Sequence, residues 1–113
     1  MTKLSVLILL AVFAAAQSKD LTGNADNGKR LFVRNGCYQC HGYVGQGGAA
    51  GARLAQTKLP LAGFTAFVRN PPPSGMPPYR AKVMSDQELA DVWSYIKSIP
   101  EPKAVKDIPL LNQ

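Results

Sequence analysis

The chain has few of the residues from which multi-ligand sites and disulfide-linked folds are built. Its 113 residues include one His, two Cys and one Trp, together with only four Phe and four Tyr. Two Cys cannot form the set of disulfides that holds many small secreted domains together. A single His excludes any site that needs two imidazoles from this chain. The length allows one domain, and a core this poor in large apolar side chains is expected to need a bound cofactor.

Acidic side chains are also few. Seven Asp and Glu stand against 13 Lys and Arg, which gives a net charge of +6. The basic residues do not form a block interleaved with stacking aromatics, so nucleic acid is not an expected partner. The excess of positive charge suits solubility or the attraction of an acidic partner.

The N-terminal segment has the pattern of an export signal. The apolar run from Leu4 to Ala16 follows the basic Lys3, and it is shorter than the roughly 20 residues of a membrane-spanning helix. Its last three alanines match a cleavage site, so a signal peptide of residues 1–16 is predicted to be removed before Gln17. Removing Lys3 leaves 12 basic and seven acidic residues, a net charge of +5 on residues 17–113. The mature chain is then expected in the periplasm without a stable membrane anchor; an uncleaved anchor or an amphipathic helix is the alternative.

Hydrophobic periodicity and end signals predict three helices, which span residues 24–35, 61–69 and 85–99. Ser85 and Glu88 have the spacing of a capping box at the start of the last helix. No alternating pattern typical of strands is present, so the predicted fold class is all-α. A glycine-rich loop is expected over residues 42–51, and an extended tail from about residue 101 to 113.

The sequence Cys37-Tyr38-Gln39-Cys40-His41 is the attachment motif of c-type haem. Two thiols three positions apart on one helical turn can each add to a vinyl group of the porphyrin, and the adjacent His then faces the iron. Covalent attachment keeps haem in a protein too small to enclose it. The motif therefore predicts one haem c, with thioethers at Cys37 and Cys40.

Other interpretations of the two cysteines are weaker. A thioredoxin-like dithiol needs a βαβ context that the sequence does not offer, and zinc needs a fourth ligand that is not present. A structural disulfide between Cys37 and Cys40 is a further alternative in an exported chain. The segment from Gly45 to Ala50 fits a dinucleotide-binding pattern, but no strand precedes it and we interpret it as a chance match.

A second iron ligand must come from a residue other than His, because His41 is the single one. Met76 lies in Gly75-Met76-Pro77-Pro78, where the prolines exclude helix and would hold the thioether in an extended loop. Met84 directly precedes the predicted N-cap of the last helix, and we expect it to pack on Leu89 as a hydrophobic staple. Met76 is therefore favoured as the distal ligand, with Met84 or an open site as alternatives.

On these residues the chain resembles the small class I c-type cytochromes. The similarity covers residues 24–99 and is carried by four segments, Gly28–Phe32, Cys37–His41, Gly75–Pro77 and Leu89–Ile96. It implies an all-α fold of three main helices around one haem, with His41 as proximal and Met76 as distal iron ligand. It also implies that the first and last helices cross, with Gly28 and Phe32 against three residues of the last helix, Val92, Tyr95 and Ile96.

One position departs from the family pattern. Members often carry a proline after the glycine-rich loop, whose carbonyl accepts the N–H of the proximal imidazole. This chain has Ala52 there. The Ala52 carbonyl can serve the same purpose, although alanine restrains the loop, and with it the imidazole, less than proline would.

The resemblance implies an electron-transfer protein that is not an enzyme by itself. It would carry single electrons between periplasmic redox partners, either as a diffusible carrier or as a subunit of a dehydrogenase. A five-coordinate haem enzyme or gas-binding protein is the alternative if Met76 does not bind iron. A dithiol oxidoreductase would carry no haem at all.

Two features bear on the partner. Arg80 and Lys82 follow the Met76 loop, near which the haem edge is exposed in this family, so a partner with an acidic patch is expected. Three apolar residues of the tail, Ile108, Leu110 and Leu111, could instead dock into a fixed partner subunit or pack on the cytochrome's own core.

Overall fold

The computed structural model describes residues 21–113, and this part of the chain is helical. The four α-helices are α1 (Ala25–Arg34), α2 (Cys37–His41), α3 (Leu61–Arg69) and α4 (Asp86–Ser98). Two short 3₁₀ turns follow, at Val105–Asp107 and Pro109–Leu111. The predicted signal peptide and its cleavage site lie outside the described residues. Within residues 21–113, no helix is long and apolar enough to cross a membrane.

Helices α1 and α4 begin where their capping signals lie. The Asn24 side chain accepts a hydrogen bond from the Asn27 backbone at the start of α1. Ser85 and Glu88 form the reciprocal capping box of α4, as predicted. The observed bounds agree with the predicted helices to within the capping residues, because such local signals require no knowledge of the tertiary fold.

The core lies where α1 crosses α4 and α3 packs against α4. Its buried members come from all three helices and from the turn before α4: Leu31, Phe32, Phe64, Val68, Met84, Leu89, Val92, Tyr95 and Ile96. The fully buried Phe32 ring meets the Tyr95 ring edge-on, with centroids 5.5 Å apart. Gly28 lies against the backbone of Asp91, since a Cβ there would be 1.9 Å from the Asp91 carbonyl oxygen. The predicted helix crossing is confirmed.

Asp91 is a buried carboxylate in this crossing, with 5% of the residue exposed. Its two oxygens accept hydrogen bonds from the Asn24 backbone (2.8 Å), the Asn27 side chain (2.8 Å) and the Gln87 side chain (3.0 Å). Burial by itself raises the pKa of Asp91, but these three donors outweigh it, so the pKa lies below the ordinary value. The charged carboxylate therefore links α4 to the start of α1.

Replacing Asp91 with Asn should lower the free energy of unfolding at pH 7 by about 2 kcal/mol, because an amide has one acceptor oxygen for three donors. The pKa of Asp91 is lower in the folded state than in the unfolded state. The contribution of Asp91 to the free energy of unfolding is therefore complete above the unfolded-state pKa, and it is lost as the pH falls through the folded-state pKa. The difference between wild type and Asp91→Asn should thus shrink in urea unfolding below about pH 4. Asp26→Asn, an exposed change of the same charge, is the control. A difference that is constant from pH 7 to pH 3 would contradict the role of the charge.

The prediction of an extended tail is wrong in part, because residues 105–107 and 109–111 form 3₁₀ turns. The Asn112 side chain stabilises them by donating to the carbonyls of Val105 and Ile108, both at 2.9 Å. Neither turn packs against any of the four described helices, α1 to α4. Leu110 is consequently 79% exposed. The tail therefore does not pack on the core, which contradicts one of the two interpretations of its apolar residues.

Candidate haem-binding site

The attachment motif forms a helix of its own. Gly36 has a φ of 74°, a left-handed conformation that ends α1 and lets α2 begin at the next residue. The helix places the Cys37 side chain partly inside, against the core, and leaves Cys40 exposed. Both are free thiols, so the disulfide alternative is not what the structure contains. Burial raises the pKa of the Cys37 thiol.

The imidazole of His41 is oriented by the loop that follows it. Its Nδ1 lies 2.7 Å from the carbonyl oxygen of Ala52. A carbonyl only accepts, so Nδ1 carries the proton and Nε2 keeps its lone pair for a metal. The missing proline therefore does not prevent the contact that the family resemblance led us to expect at this position.

Glycines bring this loop close enough to make that contact. A Cβ on Gly51 would lie 2.8 Å from the Cys40 carbonyl oxygen and 3.0 Å from His41 Nδ1. Gly47, with a φ of 77°, donates its backbone N–H to the His41 carbonyl at 2.8 Å. The loop thus packs directly on the end of α2, and the Ala52 carbonyl is held by the backbone around it.

Gln56 joins the C-terminal end of this loop to α4 by hydrogen bonds. It has a φ of 56°, an unfavourable conformation for a residue with a side chain. Its backbone N–H donates to the Ile96 carbonyl, and its side-chain amide donates to the carbonyls of Ile99 and Pro100. These bonds cap the C-terminal end of α4. No sequence pattern marks Gln56, and sequence analysis missed it.

The two methionines occupy different environments. Met76 is half-buried in the loop between α3 and α4 and packs against the core. Its backbone N–H donates to the Ser74 hydroxyl at 3.2 Å. Met84 is 3% exposed inside the core together with Leu89, which agrees with the predicted hydrophobic staple.

Tyr79 connects the Met76 loop to the segment that leads into the attachment motif. Its backbone N–H donates to the Val68 carbonyl at 3.0 Å, and its hydroxyl donates to the Asn35 carbonyl at 3.0 Å. Burial, and secondarily the charges of the cysteines when ionised, raises the pKa of Tyr79, which keeps the phenol a donor. Sequence analysis did not identify this residue. The only signal is its position directly after Pro77-Pro78.

The basic residues beside this loop are exposed. Within residues 21–113 the ion pairs join Arg34 to Glu88, Arg53 to Glu101 and Arg69 to Asp86. Arg80 and Lys82 take part in none of them and lie on the turn that leads to α4. Their charges are therefore available to a partner.

Comparison with known proteins places the chain in a family. The family described as cytochrome c oxidase, cbb3-type, subunit III matches residues 23–96. Cytochrome c-555 of Methylococcus capsulatus is 33% identical over 101 residues, which cover 85% of this chain and 79% of that protein. Thiosulfate dehydrogenase of Psychrobacter arcticus is 35% identical over 104 residues, which cover 79% of this chain and 30% of that protein. No solved structure is significantly similar.

The family match covers most of the chain, including α1 to α3, the glycine-rich loop and all but the last two residues of α4. The match to cytochrome c-555 covers more than three quarters of each of the two chains. The helical fold and the His41 geometry agree with both matches. The chain belongs to the c-type cytochromes and is a small electron-transfer protein that exchanges single electrons with redox partners through one covalently attached haem c.

Proposed function

We propose that Cys37 and Cys40 form the two thioethers to haem, that His41 is the proximal iron ligand and that Met76 is the distal ligand. The observation that carries the proposal is the contact between His41 Nδ1 and the Ala52 carbonyl, which leaves Nε2 for iron. The residues present fit the cofactor: two free thiols on one short helix, an imidazole in a fixed tautomer and a half-buried thioether in a separate loop.

Haem held by these residues would supply a ferric/ferrous iron couple, which would take one electron from a donor and pass it to an acceptor. The residues that bind the haem set its reduction potential. Ala52 holds the proximal imidazole, and a thioether from Met76 favours ferrous iron over ferric iron more than a harder ligand would. We therefore expect a positive reduction potential.

The partners we propose are periplasmic redox proteins with an acidic docking patch. The support is the pair of exposed cations Arg80 and Lys82, which follow the Met76 loop and have no acidic partner within residues 21–113. Contacts between electron-transfer proteins are typically small and short-lived, so long-range attraction acts mainly on the rate of encounter. The export signal that the sequence predicts supports the periplasmic location.

The double variant Arg80→Glu with Lys82→Glu should slow reduction by an acidic donor by about tenfold at low salt, and leave the haem spectrum and potential nearly unchanged. Stopped-flow rates across a salt series measure this, and the wild-type rate should fall as added salt shortens the screening length towards about 8 Å. Lys29→Glu with Arg30→Glu, which makes the same charge change on α1, is the matched control. Equal slowing by the two pairs would show that only net charge matters.

The second candidate function is that of an electron-transfer subunit held permanently in a dehydrogenase. The exposed apolar tail favours it, with Leu110 79% and Leu111 61% exposed, as does the similarity to part of a thiosulfate dehydrogenase. A donor rate that is indifferent to salt, but lost on deletion of residues 107–113, would favour the subunit over the diffusible carrier.

A further inference from the structure

Arg69, the last residue of α3, has an unusual set of partners. Its side chain is only 14% exposed. One terminal nitrogen donates to the carbonyls of Tyr79 (2.8 Å) and Met84 (2.5 Å), and the other donates to a carboxylate oxygen of Asp86 at 2.7 Å. The guanidinium therefore binds both ends of the segment that joins the Met76 loop to α4.

These bonds close the Met76 loop at its base. The loop consists of residues 70–78, so Arg69 directly precedes it and Tyr79 directly follows it. The Arg69 guanidinium and the bond from the Tyr79 N–H to the Val68 carbonyl join the two ends. Fixing the ends of a loop removes much of the conformational freedom between them, and Met76 lies only three residues before the closure.

We propose that Arg69 is a positioning residue for Met76. By closing the Met76 loop at its base, the Arg69 guanidinium holds the thioether in position to bind the iron. The proposal rests on Met76 being the distal ligand. A charge-assisted donor that is largely shielded from water forms stronger bonds to carbonyls than a neutral one, so this closure is more than a surface ion pair.

The shape of the side chain matters as well as its charge. A planar fork can donate to two carbonyls and a carboxylate at once, whereas a lysine ammonium is a compact point charge on a flexible stem. The bond to Asp86 is the least important of the three for Met76, because the Asp86 side chain is 71% exposed. Loss of the carbonyl bonds is therefore what should release the loop.

The test is imidazole binding to the ferric holoprotein, because imidazole binds iron only when Met76 has left it. Arg69→Ala should tighten apparent imidazole binding about tenfold, since a larger fraction of molecules has the methionine displaced. The near-infrared band of methionine–iron ligation should weaken in parallel. Arg34→Ala is the matched control, because it also removes an arginine–carboxylate pair to α4, at 3.3 Å, but no bond to a loop carbonyl. It should leave imidazole binding unchanged.

Further variants separate positioning from general stability. Arg69→Lys keeps the charge and should still tighten imidazole binding. It replaces Arg69→Ala in the test if that variant does not fold. Asp86→Asn should have little effect on imidazole binding. In a Met76→Ala background, Arg69→Ala should change imidazole binding no further, because its effect passes through the methionine.

Three results would overturn the proposal. The first is an imidazole affinity of Arg69→Ala or Arg69→Lys equal to that of Arg34→Ala. The second is an unchanged effect of Arg69→Ala in the Met76→Ala background. The third is that Met76→Ala itself leaves the affinity and the near-infrared band unaltered. This last result alone would also refute Met76 as ligand, so failure of the positioning role and failure of the ligand assignment are distinguishable.

Discussion

Met76→Ala should yield a protein that keeps its haem covalently attached but has an open distal site. The thioethers at Cys37 and Cys40 and the His41 ligand do not depend on Met76, whereas alanine offers iron no donor. We expect high-spin ferric spectra, loss of the near-infrared methionine–iron band and new binding of carbon monoxide to the ferrous protein. The reduction potential should fall by roughly 0.1 V or more, within the about 0.8 V range that axial ligands cover.

Met84→Ala is the matched control, since it removes the same side chain from the core. Met84 is 3% exposed among Leu89 and the other buried residues. Its loss should lower the free energy of unfolding by about 2–4 kcal/mol and leave the spectra and potential close to those of wild type. If the two phenotypes are exchanged, Met84 is the ligand. If wild-type ferrous protein already binds carbon monoxide readily, the five-coordinate alternative is correct.

The helices could be predicted from sequence because their signals are local. The bounds of α3, Leu61–Arg69, follow from the apolar face and the prolines after it, and α4 follows from its capping box. The tail could not be predicted in the same way. Its 3₁₀ turns depend on the Asn112 side chain reaching back to Val105, a contact that no short pattern encodes.

The same distinction between local and non-local signals applies to the candidate site. The attachment motif and Met76 could be found because each is a short segment with its own chemistry. Arg69, Tyr79 and Gln56 were missed because they act through side-chain bonds to backbone carbonyls of other segments. A carbonyl is present at every residue, so the sequence does not indicate which one such a donor will bind. The Ala52 contact is intermediate between these cases. The family resemblance indicated that the carbonyl at this position would face His41, and the structure shows the hydrogen bond.

Two helical glycines should respond in opposite directions to the same substitution. Gly28→Ala puts a methyl group where α1 meets α4, 1.9 Å from the Asp91 carbonyl oxygen and 2.9 Å from the Tyr95 Cβ. Neither the backbone nor a Cβ can turn aside, so the helices must separate, and the Phe32–Tyr95 contact and the Asp91 hydrogen bonds are weakened with them. We expect a loss of about 3 kcal/mol or more in the free energy of unfolding.

Gly63→Ala is the control, because Gly63 lies within α3 and its added Cβ would meet nothing closer than the Pro60 Cγ at 3.7 Å, an ordinary contact. Alanine is the better helix former, so this variant should gain about 0.5–1 kcal/mol. Thermal unfolding of the holoproteins followed by circular dichroism should therefore place the Gly28→Ala midpoint roughly 10 °C or more below wild type, and that of Gly63→Ala a few degrees above it. A Gly28→Ala midpoint equal to that of wild type would mean that α1 and α4 are not held at this separation.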